Sequence, residues 1–204
     1  MVAALTMPTL IQNHKKHVVE TRLQKFYSTM NQAVKLSVID NYETCTWVFP
    51  DYYLGQTSPE EVEEFYNKYF DKYVKVAKKD IIDINDDRVF VIYFLDGSAA
   101  RLGWQAHDWA FFPNAKDINK TDDKIVVGRN IFDFGFYPTT NEHAYTIKHY
   151  YNKGIEPYIP HYIKDEDGKI LYKTDDSKLY EAKAYTAIIQ RNGWKIPENY
   201  PIKF

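Results

Sequence analysis

An amphipathic repeat near the start of the chain restricts the fold more than any other feature. Val19, Leu23, Phe26, Met30 and Val34 follow one another at steps of three or four residues. A helix therefore places all five side chains on one face, while most of the intervening positions are polar or charged. Because such a face needs a surface on which to be buried, we predict that these residues pack a helix against the rest of the protein.

The residues before this repeat have a different character. Val2, Leu5, Met7, Leu10 and Ile11 are apolar all around a helix, which a solvated helix end does not require. The apolar run is only about ten residues long, whereas a membrane span needs about 20, and it lacks the basic start and cleavage site of a signal peptide. Two interpretations remain: a helix tip buried against the body of the protein, or the downstream part of a longer membrane helix.

The composition fits one folded domain and gives no sign of a nucleic-acid partner. The chain has 204 residues, of which 45 % are apolar, so a sizeable core is available. The net charge is −2 with both signs interspersed, and no basic surface is indicated. A single cysteine, Cys45, excludes an internal disulfide and a cysteine-based zinc site, and we expect it to be buried, as free cysteines usually are.

Patterns along the rest of the chain predict two further helices and several strands. Ser58-Pro59-Glu60-Glu61 supplies a capping serine, a proline at the first helical position and a glutamate in the first turn, and it begins a helix predicted over 59–78. Another helix is predicted over 177–190. Alternating or β-branched runs separated by turn residues predict strands over 81–84, 88–95, 99–105, 109–112, 124–127, 130–137 and 144–149, with a hairpin over 162–172.

These elements together predict an α+β fold. A long N-terminal α-helix would pack on a mostly antiparallel β-sheet, with two additional helices. Residues 1–40 would form the N-terminal helix and 41–204 a globular head, within one structural domain. The 18 tyrosines suit the pleated surface of a sheet, which we favour, or a half-exposed surface that contacts sugars.

An aromatic stretch around His107 is the strongest candidate for a ligand site. Trp104, His107 and Trp109 could form a patch that contacts a sugar or another ligand. Catalysis is disfavoured because His107 and its neighbour Asp108 point to opposite sides of a strand. The chain also contains none of the common nucleophile, metalloprotease or phosphate-loop motifs. We therefore expect a protein that is not an enzyme.

A metal site is weakly indicated at one turn. Asp83, Asn85 and Asp87 alternate as the first three ligands of a calcium loop do. However, Arg88 stands where that loop needs glycine, and a glutamate is missing at the twelfth position. An ordinary turn is the favoured interpretation, so we expect no cofactor, with calcium as the open alternative.

The N-terminal residues resemble a known family. Residues 2–13 and 18–31 are similar to the N-terminal helix of type IV pilin-like proteins, which include the pseudopilins of type II secretion and competence systems. Pro8 stands at the position of that family's helix-bending proline. Segments 91–98, 131–138 and 187–201 resemble the head of one prepilin-like subgroup, so the similarity extends over most of the chain.

The resemblance implies a structural subunit, a pilin or pseudopilin, of a type IV pilus-like or type II secretion-like filament. Val2, Leu5, Met7, Leu10 and Ile11 would pack in the filament core, with Pro8 setting a bend. The implied partners are further copies, other pilin-like subunits, and the inner membrane through a segment expected upstream of Met1.

The implied location is the cell envelope, with the subunit anchored in the membrane before assembly and its head extracytoplasmic or on the cell surface. The alternative is a secreted carbohydrate- or protein-binding module that uses an aromatic surface patch.

Overall fold

In the residues that it describes, the computed structural model contains one long helix, three shorter helices with defined bounds, and one sheet. It describes residues 3–53, 56–84, 87–119, 125–138, 150–160, 176–181 and 183–204, without the side chains of 3–8, 176, 178 and 181. The helices are α1 (Ala3–Asn41), α2 (Pro59–Tyr69), α3 (Asp176–Glu181) and α4 (Tyr185–Arg191). None of the helices in these ranges combines the length and the apolar composition that crossing a bilayer requires.

The sheet is an antiparallel meander. Its strands in the described residues are β1 (Val76–Ile84), β2 (Asp87–Phe94), β3 (Ala99–Leu102), β4 (Asp108–Phe112), β5 (Phe132–Gly135) and β6 (Glu156–Pro157), adjacent in chain order. Each strand pairs antiparallel with the next. The predicted α+β class, with an N-terminal helix and an antiparallel sheet, is confirmed.

The apolar stripe of α1 lies on one face of this sheet. Its five predicted packing residues are all buried in one core cluster with side chains of β2 to β5, namely Val19, Leu23, Phe26, Met30 and Val34. The ring of Phe26 stacks on Phe111 of β4 at 4.6 Å between centroids and meets Phe134 of β5 edge-on at 5.0 Å. The helix is therefore held on the sheet by direct aromatic contacts at the middle of the stripe.

Helix α2 begins where its capping signal predicts but ends earlier. The Ser58 side chain accepts a hydrogen bond from the backbone N–H of Glu61. The predicted end at residue 78 is wrong, because α2 ends at Tyr69 and Val76 already pairs with Phe94 of β2. Sheet pairing of these residues outweighs the helical spacing of their apolar side chains.

Two further boundaries differ from prediction where the backbone turns left-handed. The predicted helix over 177–190 is divided into α3 and α4, with Lys183 between them at φ 56°. The predicted strand over 99–105 ends at Leu102, and Gln105 follows at φ 51°. Left-handed residues interrupt both helical and extended backbone. The strand predicted over 144–149 and the hairpin over 162–172 lie outside the described residues.

Cys45 is exposed, contrary to expectation. It lies in a short 3-10 turn over Thr44–Thr46. Its neighbours Thr44 and Trp47 are buried instead, and the Trp47 ring stacks on Tyr69 of α2 at 4.3 Å. Because the much larger indole fills the core at this turn, the cysteine side chain is directed to solvent.

Replacement of Phe26 by alanine should destabilise the protein strongly, because it removes a buried ring that contacts two strands. We expect a loss of about 3–5 kcal/mol in the free energy of unfolding, measured by urea titration. The control is Gln24→Ala, at an exposed position of the same helix, which should change stability by less than about 0.5 kcal/mol. Equal effects of the two substitutions would show that α1 does not depend on this contact.

Candidate functional site

The N-terminal end of α1 exposes apolar side chains. Leu10 is 71 % exposed and Ile11 is 54 % exposed, so of the two interpretations of this region, burial against the protein's own body does not hold for these residues. Leu5, Met7 and Pro8 lie on the same helix, but the structure does not describe their side chains. Val2 lies outside the described residues. The helix continues through Pro8, and a bend there remains a prediction.

The exposed end and the packed part belong to one continuous helix. The stretch from Ala3 to Val19, the first buried residue of the stripe, extends about 24 Å at the usual rise per residue. Residues 9–15 are all exposed within it. One end of this helix is therefore exposed, while the part from Val19 onward is packed on the head.

Polar contacts fix α1 to the head along its length. The Arg22 guanidinium donates to the backbone carbonyls of Pro113 and Asp96. About two and a half helical turns further along, the Asn31 side chain donates to the carbonyl of Ile155 at 2.8 Å. These bonds satisfy backbone carbonyls of head loops that the helix would otherwise cover, so the direction of α1 is set relative to the sheet.

Gly154 lies close to α1. A Cβ atom at Gly154 would lie 1.8 Å from the Oδ1 atom of Asn31, a distance that no side chain tolerates. A side chain at this position would therefore displace the Asn31 side chain that binds the loop before β6.

The predicted ligand patch does not form as a unit. Trp104 is 46 % exposed, but Trp109 is 1 % exposed and lies in the core on the α1 face of the sheet. Its indole N–H donates to the carbonyl of Ala106 at 2.8 Å. Placing Trp109 on a surface patch was wrong, because alternation along β4 directs it inward while its neighbours face outward.

His107 is packed between two aromatic rings. Phe49 stacks on one side at 4.3 Å and Tyr137 on the other at 4.8 Å. Nδ1 of His107 lies 2.8 Å from the carbonyl oxygen of Phe136, and since a carbonyl only accepts, this nitrogen carries the proton. Burial lowers the pKa of His107, and the bond to Phe136 partly offsets that effect. The imidazole thus serves as a neutral, stacked group.

Two carboxyl groups lie on the face of the sheet opposite α1. Asp133 of β5 aligns across Ala110 of β4 with Arg101 of β3, and Asp108 lines the same cavity of about 230 Å³. Burial raises the pKa of Asp133 to about 6, with Arg101 lowering it and Asp108 raising it. Burial also raises the pKa of Asp108, although the Tyr137 hydroxyl donates to its carboxylate. Both carboxyls therefore hold their protons to a higher pH than a solvent-exposed aspartate does.

The weak metal candidates lie at one hairpin. Asp83 is on β1 and Asp87 begins β2, where it pairs opposite Ile84. Asn85 lies outside the described residues. Within the described ranges, no group of three or more histidine, cysteine or acidic side chains could hold a metal ion.

A second aromatic feature was not predicted from the sequence. Tyr52 and Tyr53, in the loop before α2, are exposed and line a cleft together with Trp104. The signal that could have indicated them is two adjacent tyrosines between Pro50 and Gly55, since exposed aromatics on loops often bind ligands.

Ionisation of Asp133 should lower the stability of the wild-type protein between about pH 4 and pH 6. The folded protein holds this proton up to a pKa of about 6, against about 3.9 in the unfolded chain, so over this range the folded state binds more protons. We expect Asp133→Asn to gain stability relative to wild type by about 2–3 kcal/mol from pH 4 to pH 7 in urea titrations.

The matched control for this prediction is Asp83→Asn on the edge strand β1, which should keep the pH dependence of wild type. If the stability difference between Asp133→Asn and wild type did not change with pH, folding would not raise the pKa of the Asp133 carboxyl.

Comparison with known proteins gives one result. Residues 9–204 match the model of a family described as a family of unknown function (DUF6613). No curated protein and no solved structure matches the chain. Because the match covers nearly the whole chain, the protein belongs to this family of unknown function.

Proposed function

We propose that the protein is a structural, non-enzymatic subunit of a pilin-like filament, a pilin or pseudopilin of a type IV pilus-like or type II secretion-like machine. One observation carries the proposal. The same helix is buried in the head from Val19 to Val34, yet exposes Leu10 and Ile11 at its other end. A helix divided in this way suits a head-bearing subunit that assembles through its N-terminal end.

The exposed apolar end supplies the free energy for assembly. Burying a leucine or isoleucine side chain contributes about 1.5–3 kcal/mol, and in a filament these side chains would pack against the helices of neighbouring subunits. Contacts of this head-to-tail kind do not close into a ring, so a fibre results. Val2, Leu5 and Met7 would extend the same surface toward the N-terminus.

The fixed attachment of α1 would set the arrangement of the heads. Arg22 and Asn31 tie the helix to loops of the head, so a contact at the helix end orients the whole subunit. Further copies and other pilin-like subunits would be the partners. The subunit would reside in the cell envelope, in the inner membrane before assembly and with its head extracytoplasmic.

A photo-cross-linking amino acid at Ile11, introduced in the native cells, should give a ladder of products at multiples of the subunit mass. The matched control is the same amino acid at Leu95, an exposed apolar position on the head, which should give much less of the ladder. Position 11 would lie in the filament core, whereas position 95 would lie outside it.

The double substitution Leu10→Glu with Ile11→Glu should reduce assembly at least about tenfold, because two lost burials exceed the 1.4 kcal/mol that corresponds to a factor of ten. Because both positions are exposed, the purified variant should unfold at the same midpoint as the wild-type protein. Unchanged assembly would contradict the proposal. So would a coding sequence upstream of Met1 that does not encode, in frame, the features with which pilin-like proteins begin, namely a basic leader followed by Phe-Thr-Leu and a glutamate.

A further inference from the structure

We propose that the head carries a carbohydrate-binding cleft whose walls are Tyr52, Tyr53 and Trp104. The cleft has a volume of about 740 Å³ and lies between the loop before α2, the start of α2, and the neighbouring ends of β2 and β3. Ligand sites commonly have volumes of about 300–1,000 Å³. The α1 residues proposed for assembly do not line it, so the inference is independent of the filament proposal.

Three large aromatic side chains are exposed at this one place. Tyr52 is 52 % exposed, Tyr53 is 76 % exposed, and Trp104 is 46 % exposed. The rings of Tyr52 and Trp104 meet edge-on at 6.1 Å. Single exposed aromatics need no explanation, but a group of them around a concave surface indicates a binding site.

The backbone that presents Trp104 is strained and held in place. Gln105 and Ala106 follow it with φ of 51° and 58°, a region that side-chain-bearing residues rarely adopt. The backbone N–H of Gln105 donates to the Thr57 hydroxyl at 3.0 Å, and its side-chain amide donates to the carbonyl of Pro50 at 2.9 Å. Strain that the surroundings maintain in this way is typical of functional sites.

These two bonds also define the cleft. They join the turn that carries Trp104 to the loop that carries Tyr52 and Tyr53, so the opposing walls are fixed relative to each other. Tyr53 and Gln56 further exchange a pair of backbone hydrogen bonds within that loop, at 2.9 and 3.1 Å. A preformed site of this kind loses little conformational entropy on binding.

The polar groups at the rim favour a ligand rich in hydroxyl groups. In the part of the chain that the structure describes, the carboxylates of Asp51 and Asp87 make no hydrogen bond or ion pair, although both line the cleft. An ionised carboxylate accepts several hydrogen bonds and donates none. Sugar hydroxyls supply such donors and form strong charge-assisted bonds with carboxylates.

The charge of the rim excludes an anionic ligand. Arg88 is the one cationic side chain among the lining residues, and it is paired with Glu60 at 2.7 Å. Three carboxylates, those of Asp51, Glu61 and Asp87, line the same space. A phosphate, sulfate or sialic acid would be repelled there, whereas an uncharged sugar would not.

The floor and walls fit the apolar face of a sugar ring. The floor contains Val62, Phe90 and Leu102, all buried. The axial C–H groups of a pyranose form an apolar face that packs on an aromatic ring, while the hydroxyl groups stay at the polar rim. These features together favour a neutral oligosaccharide.

A peptide strand fits this cleft less well. Peptides commonly bind by adding a strand to an unpaired sheet edge. The two strands that border the cleft, β2 and β3, each pair with a neighbour on both sides, so neither offers a free edge. The cleft can recognise side groups and rings but has no strand on which a peptide backbone could align.

The test is binding of the full chain to an array of oligosaccharides that includes uncharged members, such as cellotriose and tri-N-acetylchitotriose, and sulfated or sialylated members. We expect binding to one or more uncharged members and to no anionic one. Titration calorimetry with the best uncharged trisaccharide should then show binding at least about tenfold weaker for Trp104→Ala and for Tyr52→Ala, as expected when an aromatic contact of about 1.4 kcal/mol is lost.

Two controls keep the result interpretable. Tyr151→Ala removes another exposed tyrosine that lies outside the cleft and should leave binding unchanged. Trp104→Phe retains an aromatic ring and should restore most of the affinity that Trp104→Ala loses. Thermal unfolding of each variant verifies that the fold is retained.

The proposal would be overturned by any of three results: no binding to an uncharged glycan, binding that Trp104→Ala and Tyr52→Ala leave unchanged, or binding to a peptide array with none to the glycans. The last would assign the cleft to a protein partner. The assembly test changes Leu10 and Ile11 and not the cleft. A negative assembly result would therefore leave the glycan-binding result unaffected.

Discussion

The contact of Phe26 with the sheet is the interaction on which the rest of the structure depends. One ring of α1 stacks on Phe111 and meets Phe134 and Phe94 edge-on, so it touches three strands of the meander. Buried aromatic contacts are worth more than their area alone suggests. With this ring in place, the helix covers one face of the sheet, while the other face carries a second, smaller apolar cluster beside a few polar groups.

The division between the two faces explains why the polar residues lie where they do. On β4, Trp109 and Phe111 face α1, whereas Asp108 and Ala110 face away. The outward face holds Asp108 and Asp133, and burial raises the pKa of both carboxyls.

The two proposed functions lie in separate parts of the fold. Helix α1, whose exposed end is proposed for assembly, is tied to the head by Arg22 and Asn31. The aromatic cleft lies in the head and is built by loops that meet through Gln105. A filament of such subunits would therefore display the cleft repeatedly, and many weak sugar contacts would act together.

The sequence by itself determined the elements whose signals are local. The steps from Val19 to Val34 specify a helix with one buried face, Ser58 and Pro59 specify the start of α2, and Asp96-Gly97 specifies the turn between β2 and β3. Each depends on side-chain spacing or on the backbone preferences of one or two residues. The α+β class and most strand positions follow from such signals.

Only the tertiary structure decided where these signals stop and which surfaces they form. Val76 joins β1 rather than α2 because β2 supplies hydrogen bonds that a helical spacing cannot anticipate. Trp109 lies in the core and Trp104 at the surface because strand alternation ends at a strained turn, which is stabilised by residues about fifty positions earlier in the chain. Contacts between distant segments carry no local pattern, and for that reason the cleft of Tyr52 and Trp104 is a property of the fold and not of any stretch of sequence.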